Sequence, residues 1–135
     1  MRLIKLSEKF YSTYANCSEL MDKENRPYLF LTVRINEKDF AIPLRHNINH
    51  PFCFPTTPPA GLDFSKAVVI SDNSYIATDA PRISSIEWQI IIRNEERIIH
   101  EFRKYIRRYQ RAKRHPNIQR NLLILEYSTL QYFDV

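Results

Sequence analysis

One glycine in 135 residues leaves no material for a glycine-rich phosphate cradle, so Walker-type and Rossmann nucleotide sites are excluded. Tight turns must then rest on Asn and Asp. The two cysteines, Cys17 and Cys53, stand far apart, and in a cytosolic chain that pattern reads as free thiols. No apolar run approaches the roughly 20 residues that cross a bilayer. The opening Met1-Arg-Leu-Ile-Lys5-Leu-Ser7 has a charge inside any would-be apolar region and no cleavage site. A signal peptide is therefore not expected, and the cytoplasm is the expected location. Internal repeats and low-complexity tracts are missing. So are paired carboxylates at acid/base spacing, a nucleophile elbow around Ser65 and any Ser-His-Asp order.

What is present is ordinary in bulk, with 44% hydrophobic and 26% charged residues, as in soluble globular proteins. The length fits one domain, residues 1–135, with a single core. The net charge of +5 is uneven. Between Arg93 and Arg114 stand nine basic residues and three acids, so that segment carries +6 and the remainder −1. An excess confined to one element is the footprint of a polyanion partner, with nucleic acid the first candidate. A solvated charged face is the plainer alternative. The interleaved Tyr105 and Tyr109 favour nucleic acid, since aromatics can stack on bases while cations neutralise phosphates.

In chain order, Leu3 to Leu6 is a short strand, and Ser7 caps a helix from Glu8 to about Ala15. Tyr28 to Ile35 is the clearest strand, rich in aromatic and β-branched residues. It turns at Asn36-Glu-Lys-Asp39 into Phe40 to Leu44, where Pro43 suggests an edge or a bulge. Lys66 to Ile70 and Tyr75 to Ala77 read as a second hairpin. Ser84 with Glu87 forms a capping box for one long helix ended by Pro116. Its apolar stripe comprises Trp88, Ile92, Ile99, Phe102, Ile106 and Tyr109. Leu122 to Glu126 reads as a last strand or a short helix, and Ser128 caps a final turn through Tyr132. Together these give an α+β domain with a compact, twisted antiparallel sheet or small barrel and one long basic C-terminal helix.

The stretch Pro43 to Gly61 shows neither period. It contains five of the eight prolines, the single glycine, Cys53 and half of the histidines. A connection this long in a compact domain is usually functional or disordered. Phe52, Phe54, Ile48 and the prolines can pack down, so an ordered loop presenting Arg45, His46 and His50 is expected. Metal-free RNA cleavage needs a base for the 2′-OH, an acid for the leaving 5′-oxygen and a cation for the phosphorane. Two histidines and an arginine can supply these. Solvated loop residues are the plainer reading of the same three. A zinc site from His46, His50 and Cys53 lacks a fourth ligand and the usual paired spacing, so neither a metal nor another cofactor is expected.

Several stretches, taken in order and spacing, resemble one family along nearly the whole chain. They are Leu-Ser-Glu-Lys-Phe-Tyr (6–11), Arg-Pro-Tyr-Leu from Arg26, Ala-Ile-Pro-Leu-Arg-His (41–46), Gly-Leu-Asp-Phe-Ser-Lys-Ala-Val-Val-Ile (61–70) and the basic helix. The chain is similar to the endoribonuclease toxins of bacterial type III toxin–antitoxin systems (ToxN, AbiQ, CptN, TenpN), and most to the TenpN branch. The resemblance implies a Kid/MazF-like sheet and metal-independent RNA cleavage that leaves a 2′,3′-cyclic phosphate and a 5′-OH. It also implies a pseudoknot RNA antitoxin that the toxin processes and that inhibits it in a toxin–RNA assembly, with roles in phage defence and plasmid maintenance. ToxN-like members have Thr-Ser-Pro-Lys after the Pro-Leu strand end and a lysine at the start of the preceding strand. Here the corresponding residues are Arg45-His46-Asn47-Ile48 and Arg26. The expected catalytic set is therefore His46 as first-choice base with His50 as its partner, and Arg45 and Arg26 on the phosphate. The expected RNA contacts are Tyr11, Lys66, Arg103, Lys104, Arg107, Arg108, Arg111 and Lys113. A non-catalytic RNA-binding module is the competing reading.

Overall fold

The structure is a computed structural model that describes residues 1–17 and 29–135. Arg26 and the start of the expected strand at Tyr28 lie outside the described residues. The fold is α+β. Its strands are β1 (Arg2–Ile4), β2 (Phe30–Ile35), β3 (Lys38–Arg45), β4 (Cys53–Pro55), β5 (Gly61–Asp63) and β6 (Val68–Val69). The helices are α1 (Glu8–Thr13), α2 (Ser85–Arg93), α3 (Glu95–Arg114) and α4 (Gln119–Tyr127). All strand pairs are antiparallel, in the order β1-β2-β3-β5-β4, with β6 also on β3. The sheet does not close on itself, so the barrel alternative is corrected to an open sheet.

Alternation along β2 and β3 builds two apolar layers. Leu31, Val33, Ile35, Phe40 and Ile42 face one side and pack with Phe102, Ile106 and Ile98 of α3. Phe30, Ala41 and Val68 face the other and pack with Phe10 and Tyr11 of α1. Successive strand residues point to opposite faces, so these assignments fix the register. That register is Leu31↔Ile42 and Val33↔Phe40. The β2–β3 turn is tighter than the sequence suggests. Only Asn36 and Glu37 lie between the strands, both with positive φ, 52° and 65°. Two positive φ values are what a mirror-image hairpin turn demands, and in a chain with so little glycine Asn and Glu supply them.

Pro43 is neither on an edge nor at a bulge. β3 is central, and its free side pairs with β6 at Phe40 and Ala41 and with β5 at Leu44 and Arg45. The Leu44 amide donates toward β2, to the Leu29 carbonyl at 2.9 Å. Because amides alternate in direction, the donor that Pro43 lacks would point to the other side, into the gap between β6 and β5. The proline thus sits where a ladder hydrogen bond is not available to lose.

Four other expectations are corrected. The Pro43–Gly61 stretch contains a hairpin, with Cys53↔Asp63 and Pro55↔Gly61 paired. The Lys66–Ala77 region is not a hairpin. Val68 and Val69 pair with β3, Asn73–Tyr75 is a 3-10 turn, and Ile76 bridges to Leu6. The long helix breaks at Asn94, whose side-chain amide donates to the Ile90 carbonyl at 2.7 Å. Such local side-chain bonding competes with helix continuation. Ile91 and Ile98 are buried and Ile92 is exposed, so at these positions the apolar stripe lies one residue earlier than expected. Leu122–Glu126 lies in helix α4, the second of the two alternatives. The caps are as expected: Ser7, Ser84 and Ser128 accept from the amides of Phe10, Glu87 and Leu130. Glu87 does not close a reciprocal box; its carboxylate accepts from Thr56 Oγ1 at 2.8 Å and ties the β4–β5 turn to α2.

Gly61 is required for close approach. A Cβ there would stand 2.6 Å from the Phe54 carbonyl oxygen and 3.1 Å from the Pro55 Cα. Gly61→Ala should force β4 and β5 apart and cost about 1–3 kcal/mol, as overpacking does. A urea unfolding midpoint equal to that of the unaltered protein would refute this reading of the pair.

Candidate functional site

The two strands that Gly61 brings together end at one carboxylate. Asp63 is 3% exposed, and its Oδ1 accepts from the Ser65 amide (3.0 Å), the Ser65 hydroxyl (2.6 Å) and His50 Nε2 (3.2 Å). Its Oδ2 faces Arg45 Nε at 3.8 Å. Asp63 also caps the 3-10 turn Phe64–Lys66 through the Ser65 amide, which fixes the start of that turn. Burial alone pushes the Asp63 carboxyl up. The hydrogen bonds from His50 and Ser65, with the charges of His50 and Arg45, outweigh burial and hold it below the usual carboxylate range.

The His50 ring is fixed at both nitrogens. Nδ1 accepts the Phe52 amide at 3.1 Å, so the neutral ring carries its proton on Nε2 and donates it to Asp63. Ser65 Oγ stands 3.4 Å from that Nε2. The loop that holds His50 is pinned by the Ile48 amide on the Pro59 carbonyl at 2.9 Å. Phe52 buttresses the ring, with centroids 6.0 Å apart, and in turn packs on Tyr105 of α3 at 5.8 Å.

These groups open onto a cleft of roughly 460 Å³. Arg45, His50, Asp63, Ser65 and Lys66 line its polar side, and Ile48, Phe52, Leu123 and Tyr127 much of the remainder. Lys66 Nζ donates to the Tyr127 carbonyl at 3.1 Å. Tyr105 forms part of the floor and donates to Ser128 Oγ at 2.8 Å. Burial first, with the Asp63 and Tyr109 charges adding to it, pushes its hydroxyl far up despite the Ser128 bond, so Tyr105 stays protonated.

The residues expected from the sequence are thus divided. Arg45, His50 and Lys66 meet in the cleft. His46 is exposed just past the end of β3 and is not among the residues that line the cleft. Tyr11 is 6% exposed and meets Phe10 edge to face, so it belongs to the core rather than to an RNA surface. Tyr105 and Tyr109 are core residues as well, 4% and 3% exposed, and offer no stacking face. On α3, Arg103, Lys104, Arg107 and Arg111 are exposed, with Lys104 beside Glu101 at 3.8 Å. Arg108 is engaged within the fold, donating to Asn121 Oδ1 at 2.7 Å and so tying α4 to α3. Lys113 donates to the Val135 carbonyl at 2.8 Å.

Asp63 and Ser65 are the site residues that sequence reasoning missed. The signal was there in Asp63-Phe-Ser65, where an Asp two residues before a Ser marks a side-chain-capped turn. Cys53 pairs across the hairpin from Asp63, and burial followed by the Asp63 charge pushes its thiol up. That works against the thiolate a zinc ligand needs. Among the described residues no three His, Cys, Asp or Glu side chains gather into a metal-binding group, and no helix is long and apolar enough to cross a membrane. Compared with known proteins, the chain matches no family model, no curated protein and no solved structure.

Proposed function

We propose that the protein is a metal-independent endoribonuclease that cleaves RNA by 2′-OH attack, leaving a 2′,3′-cyclic phosphate and a 5′-OH. The observation that carries this reading is the grouping of His50, held by buried Asp63, with Arg45 and Lys66 at one end of a single cleft. His50 is the proton carrier, because an imidazole changes charge near neutral pH. To act as base, the ring exchanges the Phe52 amide at Nδ1 for the 2′-OH and takes its proton there, and Asp63 faces the Nε2–H of the imidazolium and stabilises it. Hydrogen bonds of this kind commonly rearrange when substrate enters. Arg45 and Lys66 stabilise the charge that develops on the phosphorane. The departing 5′-oxygen takes its proton from water on the open side of the cleft, and the hydroxide left behind is neutralised by the proton that the His50 imidazolium gives back.

The resemblance noted in the sequence extends this proposal to a toxin of the type III toxin–antitoxin kind, with a Kid/MazF-like sheet and a small pseudoknot RNA as processed product and inhibitor. The exposed Arg103, Arg107 and Arg111 face of α3 supplies the cations for that RNA. Purified protein incubated with mixed RNA in EDTA should yield fragments with cyclic-phosphate ends. Intact RNA after incubation with folded protein would reject the enzyme and leave the non-catalytic RNA-binding module.

A further inference from the structure

The apolar wall of the cleft is left unused by that chemistry. Leu123 is 63% exposed and Tyr127 50% exposed, both on α4 and both lining the cleft. Phe52 lines it from the loop side and carries the His50 ring against its own. Scattered exposed apolar side chains need no explanation, but these converge on the space that Arg45 and Lys66 also enter. Moreover, Lys66 Nζ is held on the carbonyl of Tyr127 itself. The cation is thereby set at the backbone of a residue whose side chain also lines the cleft. The Asp63 carboxylate is buried against Ser65 and His50, and the other charged side chains that line the cleft, Arg45 and Lys66, are cations.

We infer that the Leu123–Tyr127 wall of α4 is a nucleobase subsite, which receives the unstacked base of a single-stranded RNA nucleotide whose phosphate lies on Arg45 and Lys66. The inference rests on the endoribonuclease reading for its ligand class and adds which part of the RNA is gripped and by what. Sequence-tolerant stacking on an aromatic face is the usual way proteins hold splayed-out bases. The cleft volume of roughly 460 Å³ lies within the range of small-ligand sites. Base and scissile phosphate would then be held by two sides of one cleft that His50 also lines.

The test uses a short, mixed-sequence, single-stranded RNA made uncleavable by 2′-O-methyl groups, and an abasic ribose-phosphate oligomer of the same length. Fluorescence anisotropy gives the affinity of each. Tyr127→Ala and Leu123→Ser should each weaken binding of the uncleavable RNA about tenfold, in keeping with one lost stacking contact. Tyr127→Phe should restore it, and the abasic oligomer should bind all variants alike. Equal losses for both ligands, or no loss for either, would overturn the subsite. So would a nucleoside monophosphate that binds as tightly as the RNA, because the site would then serve a free nucleotide. Binding is read without cleavage, so base-dependent loss in Tyr127→Ala sustains the subsite even if the protein cuts no RNA. Conversely, cleavage with no such loss sustains the enzyme and rejects the subsite.

Discussion

His50→Ala should lower the rate of RNA cleavage by roughly 10²–10⁴-fold, the usual contribution of a positioned acid–base group, whereas His46→Ala should stay close to the unaltered protein. The contrast follows from placement. His50 lines the cleft, and Asp63 holds its Nε2, so that only the Phe52 amide has to leave Nδ1 for the ring to act as base. His46 is one residue beyond β3 and exposed. Among the described residues none holds the His46 imidazole, so it lacks the fixed placement that an acid–base group needs. Single-turnover rates with saturating RNA in EDTA measure the difference, with circular dichroism to show that both variants fold. If His50→Ala cuts within a few-fold of the unaltered rate, the proton carrier lies elsewhere.

The second large effect concerns stability. Asp63→Ala should destabilise the fold by about 2–4 kcal/mol, because the Ser65 amide, the Ser65 hydroxyl and His50 Nε2 all lose their acceptor in a buried place. It should also loosen the ring of His50 and so reduce cleavage. Urea denaturation at neutral pH reads the first effect as a lower midpoint with an unchanged slope. The pH dependence has a definite sign. The folded-state carboxyl of Asp63 sits below its ordinary value, near 3.9 in an unfolded chain by the usual reference of about that size. Its contribution is therefore complete above the unfolded value and is lost as pH falls through the folded one. The stability gap between the unaltered protein and Asp63→Asn should narrow on acidification over that window. A gap that stays constant or widens in acid would mean that the charge of Asp63 is not what holds the site.

How far the fold could be read from the sequence depended on how many residues each feature spans. β2 and β3 carry six and eight residues, β2 mostly aromatic or β-branched and β3 with an apolar run through residues 40–44, enough for both their existence and their pairing to be legible. The serine caps are legible because capping needs only one side chain at one position. The β4–β5 hairpin was hidden. Each strand is three residues long, too short for alternation to register, and two prolines at its turn mimic a loop. The helix break was hidden for a different reason. Asn94 is a tolerable helix residue, and Ile91 and Ile98, seven residues apart, would share a face on an unbroken helix as well, so the apolar pattern carries no sign of the break. In the site, His50 and Arg45 were legible as chemistry on a loop. Asp63 was not, since a lone carboxylate gains meaning only when strand pairing brings it under the imidazole. Tyr105 and Tyr109 misled because aromatics interleaved with arginines look alike in sequence whether the rings face solvent or the core.

The chain's single glycine is committed to the contact between β4 and β5. The loop from Arg45 to Phe52 therefore contains no glycine, ends in Pro51-Phe52, and is pinned through Ile48 to Pro59. A wall built in this way has little backbone freedom left to surrender when a ligand enters. The ordering entropy that mobile loops forfeit on association is already spent in folding. Affinity at this cleft should accordingly depend on the shape and charge of what enters, with only a small contribution from closure of the protein around it.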